Sequence, residues 1–408
     1  MPFLTRRNQF NIAVGVALAV RITIWAGTMI APIPNEARDP ISPLHANSAI
    51  DLKFYENSRA IYGAWLERFA TAPMEEWWGI FRSFLSNVSE SFIAGPLMSG
   101  LLAVFDYGSE NPLPLAFTYL LVSCAIAVVW LHWLHQMGAG FTGLVILALL
   151  PGPLWLMLNV SSDLPFAALV TIFFFIFFSE RRARQRYIWA TGVAVVATLL
   201  RPHGVSLLLF LGLYAAILSP ARTQAQKITI VAFLAVVGGM LLWLFSSYFS
   251  AYLQSSAKLV YFGYTTREYL AGIFPALPDG LNEIVSWTAL PIAKLLYLVG
   301  IRPSYGDTLP LLILIRAAPG PILLAGLLYA FLRAPWAYRL LFAAFFAPVA
   351  LGAAQDRYLL ALTPLIVLFC MRFFQESRGA LALHPVLLPP LPLAPRAGKI
   401  RHSSQTTG

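Results

Sequence analysis

An all-α integral-membrane fold is predicted, with about ten transmembrane helices and interfacial helices in a long first outer loop, and three observations predict it. Hydrophobic residues fill 59% of the 408 positions and charged residues only 11%, against roughly 45–50% and about 25% in soluble domains. The apolar residues fall in long blocks, such as 164–178 (LPFAALVTIFFFIFF) and 228–247. Mean hydropathy is +0.71. A water-facing surface cannot be made from so few charges.

The chain opens MPFLTRR and runs into an apolar stretch from about Asn11 to Ile33. That charge order is also a signal peptide's. The stretch contains Arg21 and lacks a small-residue cleavage site, however, so an uncleaved first span with a cytoplasmic N-terminus is expected near 11–32. Further spans are expected near 112–134, 141–159, 164–179, 228–250, 310–332, 338–354 and 357–374. The apolar block 187–218 is broken by Arg201-Pro202-His203-Gly204, which joins a charge, a helix breaker and a flexible residue. It is therefore split into two short spans.

Two shorter apolar pieces, 92–106 and 284–301, are placed by charge. The basic segments Glu180–Arg186, Ser219–Lys227, Arg333–Arg339 and the tail from Arg372 belong in the cytoplasm with Arg6 and Arg7. All of them land there only if neither short piece crosses, so both are expected to be outer interfacial or re-entrant helices. Both termini are then cytoplasmic, with residues 1–375 as one membrane domain and 376–408 as a Pro-rich disordered tail. In a bacterium the membrane would be the inner one. The net charge of +10 reflects these basic loops, and no nucleic-acid partner is expected. Cys124 and Cys370 sit in separate apolar blocks and suggest neither a metal site nor a disulfide framework.

With this threading, Asp39, Asp51, Asp163, Arg201, His203, Gln355, Asp356 and Arg357 all fall at one face, outside the cytoplasm. Ionisable groups held near a membrane mark a functional site. The first outer loop, 34–111, contains DLKFYENSRAIYGAWLERF at 51–69, whose apolar positions recur at helical spacing. An amphipathic helix on the membrane is expected there, carrying Tyr55 and Arg59 after Asp51.

Each candidate has two readings. Asp51 is a helix cap or a base that accepts an acceptor's hydroxyl proton. Asp39, before Pro40, is a turn residue or a second such carboxylate. Ser161-Ser162-Asp163-Leu164-Pro165 caps a span or faces the same site as Asp51. Arg201 is paired with a buried carboxylate or holds a phosphate, with His203 beside it. Gln355-Asp356-Arg357-Tyr358 opens another span, where Arg357 pairs locally or makes a second phosphate contact and Tyr358 joins the interfacial belt. Walker A, GxGxxG, HExxH and Cys/His metal patterns are absent from the sequence.

These residues are similar to motifs of the GT-C superfamily of polytopic glycosyltransferases, which includes polyprenol-phosphate-mannose mannosyltransferases and lipid A aminoarabinose transferases. Asp51-Leu52-…-Tyr55-…-Gly63 resembles the family's first-loop stretch, and Ser162-Asp163-Leu164-Pro165 its middle acidic motif. Ala197–Gly204 (ATLLRPHG) resembles "A-T-x-x-R-P-x-G", and Arg357–Leu365 resembles "R-Y-x-x-x-x-x-P-L". The resemblance spans roughly 1–375. It implies an inverting transfer of a hexosyl or pentosyl unit, on the outer membrane face, from a polyprenyl-phosphate donor to a glycan, lipid or protein acceptor. Asp51 would be the base, with Asp39 or Asp163 orienting groups nearby, and Arg201 and Arg357 would hold the donor phosphate. Many relatives carry a tight acidic pair in the first loop; here Leu52 follows Asp51. No cofactor is required on this reading, and a divalent metal stays open. A lipid-linked glycan flippase, a polysaccharide polymerase or ligase, and an inactive GT-C-like subunit are the alternatives.

Overall fold

The computed structural model describes residues 5–33, 52–83, 97–98, 113–158, 161–178, 183–219, 223–247, 249–250, 280, 284, 291–292, 294–299, 314, 317–351 and 356–377. Among these the chain is helical, without a β-strand. Four helical segments are long and apolar enough to cross a membrane: Arg6–Ile30, Leu113–Gln136, Gln224–Leu244 and Leu359–Glu376. Every span expected from the sequence contains helix, but Gly140–Trp155, Asp163–Phe177, Pro202–Leu218, Gly320–Leu332 and Trp336–Ala350 are shorter apolar segments of 10–17 residues. Asp39, Asp51, Gln355, most of the first loop and the tail beyond Ser377 lie outside the described residues.

Helix α1 (Arg6–Ile30) starts where the Thr5 hydroxyl accepts from the Asn8 amide at 3.3 Å. Helix α2 (Leu52–Thr71) matches the amphipathic helix expected over 51–69. Helix α3 (Leu113–Gln136) ends in a reversal at Gly138 and Gly140, whose φ values of 77° and 70° favour glycine.

The next segment departs from the single span expected over 141–159. Helix α4 (Gly140–Leu149) stops, and α5 (Pro151–Trp155) starts afresh. Pro151 is the cause. It forces Leu150 into an extended conformation (φ −61°, ψ 125°) and brings no N–H for the helical ladder.

Helices α6 (Asp163–Phe177) and α7 (Ala183–Leu200) pack together and lead into the split block. A 3₁₀ turn at Pro202–Gly204 breaks it as expected, followed by α8 (Val205–Leu213) and a π-helical turn at Tyr214–Leu218. Helix α9 (Gln224–Leu244) begins with a reciprocal cap between Thr223 and Gln226, both bonds at 3.3 Å. Helices α10 (Gly320–Leu332) and α11 (Trp336–Leu351) follow, then a 3₁₀ segment at Asp356–Leu362 and α12 (Thr363–Ser377).

Side-chain contacts order the bundle ends. Phe10 packs on His132 and His135 at 5.8 and 5.2 Å, while Trp25 meets Phe117 at 6.2 Å, so α1 and α3 run antiparallel. Arg372 donates to the Met137 carbonyl (3.3 Å), Tyr329 donates to Glu376 (2.6 Å), and Tyr338 stacks on Phe178 at 5.3 Å. Phe177 meets Tyr187, Tyr214 and the Arg186 guanidinium. This gathers Arg6, Arg186, Arg333, Arg339 and Arg372 toward one end of the bundle, hereafter the basic end. The opposite end holds Asp163 and Arg201.

In a bilayer, where lipid tails match leucine in polarity, close packing between such apolar helices sets their interfaces. Phe173, Phe177 and Phe210 are fully buried around α6 and α8. Gly326 on α10 lies against the backbone of α12, where an added Cβ would sit 2.2 Å from the Ile366 oxygen.

Candidate functional site

At the end opposite the basic one, the Asp163 and Arg201–Gly204 motifs meet. Asp163 opens α6, and its carboxylate forms an ion pair with Arg201. Both side chains are buried, at 1% and 8% exposure. Such a pair survives burial only with close geometry and further hydrogen bonds. Arg201 also lies 5.9 Å from the Phe166 ring centre, one turn along α6. Of the two readings of Arg201, pairing with a buried carboxylate is the one observed.

The local backbone explains the placement. Arg201 precedes Pro202, which holds it extended at φ −150° and ψ 124°, so α7 ends there. The Gly204 amide then donates to the Arg201 carbonyl at 2.8 Å. At Gly204 a Cβ would lie 2.4 Å from Thr198 N and 2.5 Å from Ala197 C. The turn thus folds back onto the last turn of α7, and only glycine fits. Thr198, fully buried, turns its hydroxyl to the Ala194 carbonyl at 2.7 Å. The order Ala-Thr-x-x-Arg-Pro-x-Gly is a packing requirement as much as a chemical signature. His203 is buried within this turn at 8% exposure.

The expected cap before α6 is altered. Ser162 takes a helical conformation and makes no side-chain capping bond, whereas the Ser161 hydroxyl accepts from the Asp163 amide at 3.4 Å. Tyr119 on α3 donates to the Ser161 carbonyl at 2.6 Å and anchors the start of α6.

The Asp356–Leu362 segment packs against α6 and α5, so Arg357 and Tyr358 belong to an element adjoining the Asp163 helix. Tyr55 and Arg59 lie on α2. The structure therefore brings together Asp163, Arg201 and His203, with the Arg357–Tyr358 element beside them.

Two cations went unselected in the sequence. Lys294, fully buried within the 284–301 piece, donates to the Ala350 carbonyl at 3.1 Å, near the end of α11. Burial pushes its ammonium down to about 8. A lone lysine in an otherwise apolar segment was the available signal. Arg21 is the other, buried between α1, α3 and α4. Tyr119 carried no sequence signal at all. Among the described residues no group of three or more His, Cys, Asp and Glu side chains could hold a metal ion.

No protein family, curated protein or solved structure matches this chain.

Proposed function

We propose that the chain is an integral-membrane glycosyltransferase of about ten spans, with both termini cytoplasmic. It would transfer a sugar from a polyprenyl-phosphate donor to a glycan, lipid or protein acceptor at the outer face. The observation that carries this reading is the buried Asp163–Arg201 pair, set at the bundle end opposite the basic loops. An ionisable pair is expensive in a membrane domain and is retained where a site uses it.

The acceptor oxygen attacks the anomeric carbon of the sugar as the bond from that carbon to the phosphate oxygen breaks. The bonding pair leaves with polyprenyl phosphate, and the hydroxyl proton passes to Asp51. Asp39 is the second candidate for that base. Asp163 orients Arg201, which with Arg357 stabilises the charge that grows on the leaving phosphate. His203 lies in the Arg201 turn, and Tyr55, Arg59, Gln355 and Tyr358 are the further residues assigned to donor binding on this reading.

Turnover of radiolabelled polyprenyl-phosphate sugars by membranes containing the protein tests this. Transfer is expected with the wild type and a loss of about 10²–10⁴-fold with Asp51→Asn. Equal turnover in both moves the base to Asp39. No turnover of any donor overturns the transferase reading in favour of a flippase or a non-catalytic subunit.

A further inference from the structure

Arg21 lies midway along α1 with 2% of its surface exposed. Its Nε donates to the Ser123 hydroxyl at 3.2 Å, and one terminal nitrogen donates to the Ala17 carbonyl at 3.0 Å and the Ala148 carbonyl at 3.4 Å. All three acceptors are neutral. A charge in this position needs a reason, since it is costly inside a membrane domain.

The break between α4 and α5 supplies that reason. Pro151 ends α4 at Leu149. The last carbonyls of a helix lack intrahelical partners, and inside a bilayer no water replaces them. Ala148 is among these carbonyls, and a cation there also meets the negative end of the helix dipole. Arg21 thus closes the broken end of α4 and ties it to α1 and α3.

Beyond the break, α5 (with Pro153 and Leu154 buried) packs against the Asp356–Leu362 segment. On α3, Ser123 lies one turn from Tyr119, whose hydroxyl holds the Ser161 carbonyl just before α6. Both neighbours of the Arg21 contact therefore lead to elements of the candidate site.

We propose that Arg21 is a positioning residue that latches the α4–α5 break and so fixes the donor-binding segment at Arg357 and Tyr358. The proposal rests on the transferase reading for its kinetic consequence and on the fold alone for its structural one. Two readouts on the full-length protein in lipid nanodiscs separate them. Hydrogen exchange over 145–158 is expected to rise about tenfold or more in Arg21→Met, while exchange over 165–175 stays unchanged. The KM for the polyprenyl-phosphate sugar is expected to rise about tenfold, with kcat changed by less than about twofold. Arg21→Lys keeps the charge and is expected to restore most of both.

Wild-type exchange over 145–158 in Arg21→Met would overturn the latch. Raised exchange with unchanged KM would overturn its link to the site. If the wild type turns over no donor, the transferase reading falls and exchange alone decides the latch. If Arg21→Met does not fold, Ser123→Ala removes the Nε partner alone. A smaller rise in exchange over 145–158 is then expected, and none would overturn the proposal.

Discussion

The Asp163–Arg201 pair is the most consequential contact between single residues. Both groups are nearly fully buried, so removing one partner leaves a charge without its counterion. Asp163→Asn is expected to lower the stability of the detergent-solubilised protein by about 3–5 kcal/mol in thermal unfolding. Replacing the pair together, Asp163→Leu with Arg201→Met, is expected to recover most of that loss, because the apolar pair has no desolvation penalty. Activity is expected to stay absent in the double variant, which separates folding from chemistry. A double variant as unstable as Asp163→Asn would mean that the pair's neighbours need its hydrogen bonds. The sequence showed Asp163 and Arg201 as candidates, and that they pair with each other became visible only from their contact in the fold. Arg21 was visible only as a charge that argued against a signal peptide.

Helix ends and helix contacts were legible in proportion to their local chemistry. The amphipathic pattern over 51–69 gave α2 nearly to its ends, and Arg201-Pro202-His203-Gly204 divided α7 from α8 as expected. The break at Pro151 was missed although Pro151-Gly152-Pro153 is a breaker signal, because no charged residue stands in the flanking apolar runs and the span was read on its apolar length. The close approach of α10 and α12 was equally invisible. It depends on Gly326 facing the Ile366 backbone, and a glycine inside an apolar run carries no label for its partner. Two glycines give predictions here. Gly204→Ala is expected to shift the 201–204 turn away from Thr198 and reduce transfer activity at least about tenfold, measured as kcat/KM. Gly326→Ala is expected to separate α10 from α12 and lower the unfolding temperature with activity less affected. If Gly204→Ala behaves as wild type, the turn tolerates displacement and its glycine has no bearing on the site.

At the scale of the whole molecule, packing among the described residues sets Arg6, Arg186, Arg333, Arg339 and Arg372 toward one end and the Asp163–Arg201 pair at the other. The threading needed the same partition, and it drew on loop charge alone. Side-chain contacts and charge bias are independent sources, and both give the same partition between the two ends of the bundle. Membrane-impermeant maleimide labelling tests it directly. Thr71→Cys is expected to react from outside and Gln185→Cys only after the membrane is opened. Labelling of Gln185→Cys from outside would place the basic end on the wrong side, and the outer-face site with it.

The Gly326–Ile366 contact also has a consequence for biosynthesis. Helices α10 and α12 are partners, yet α11 separates them in the chain. A nascent chain grows from the N-terminus at about 5–20 residues per second, so α10 emerges before its partner exists. Its bare glycine face must wait against lipid until Thr363–Ser377 has been made. The last described helix is therefore a closing piece, and a chain cut short after α11 would expose an unfinished seam to the membrane's quality control.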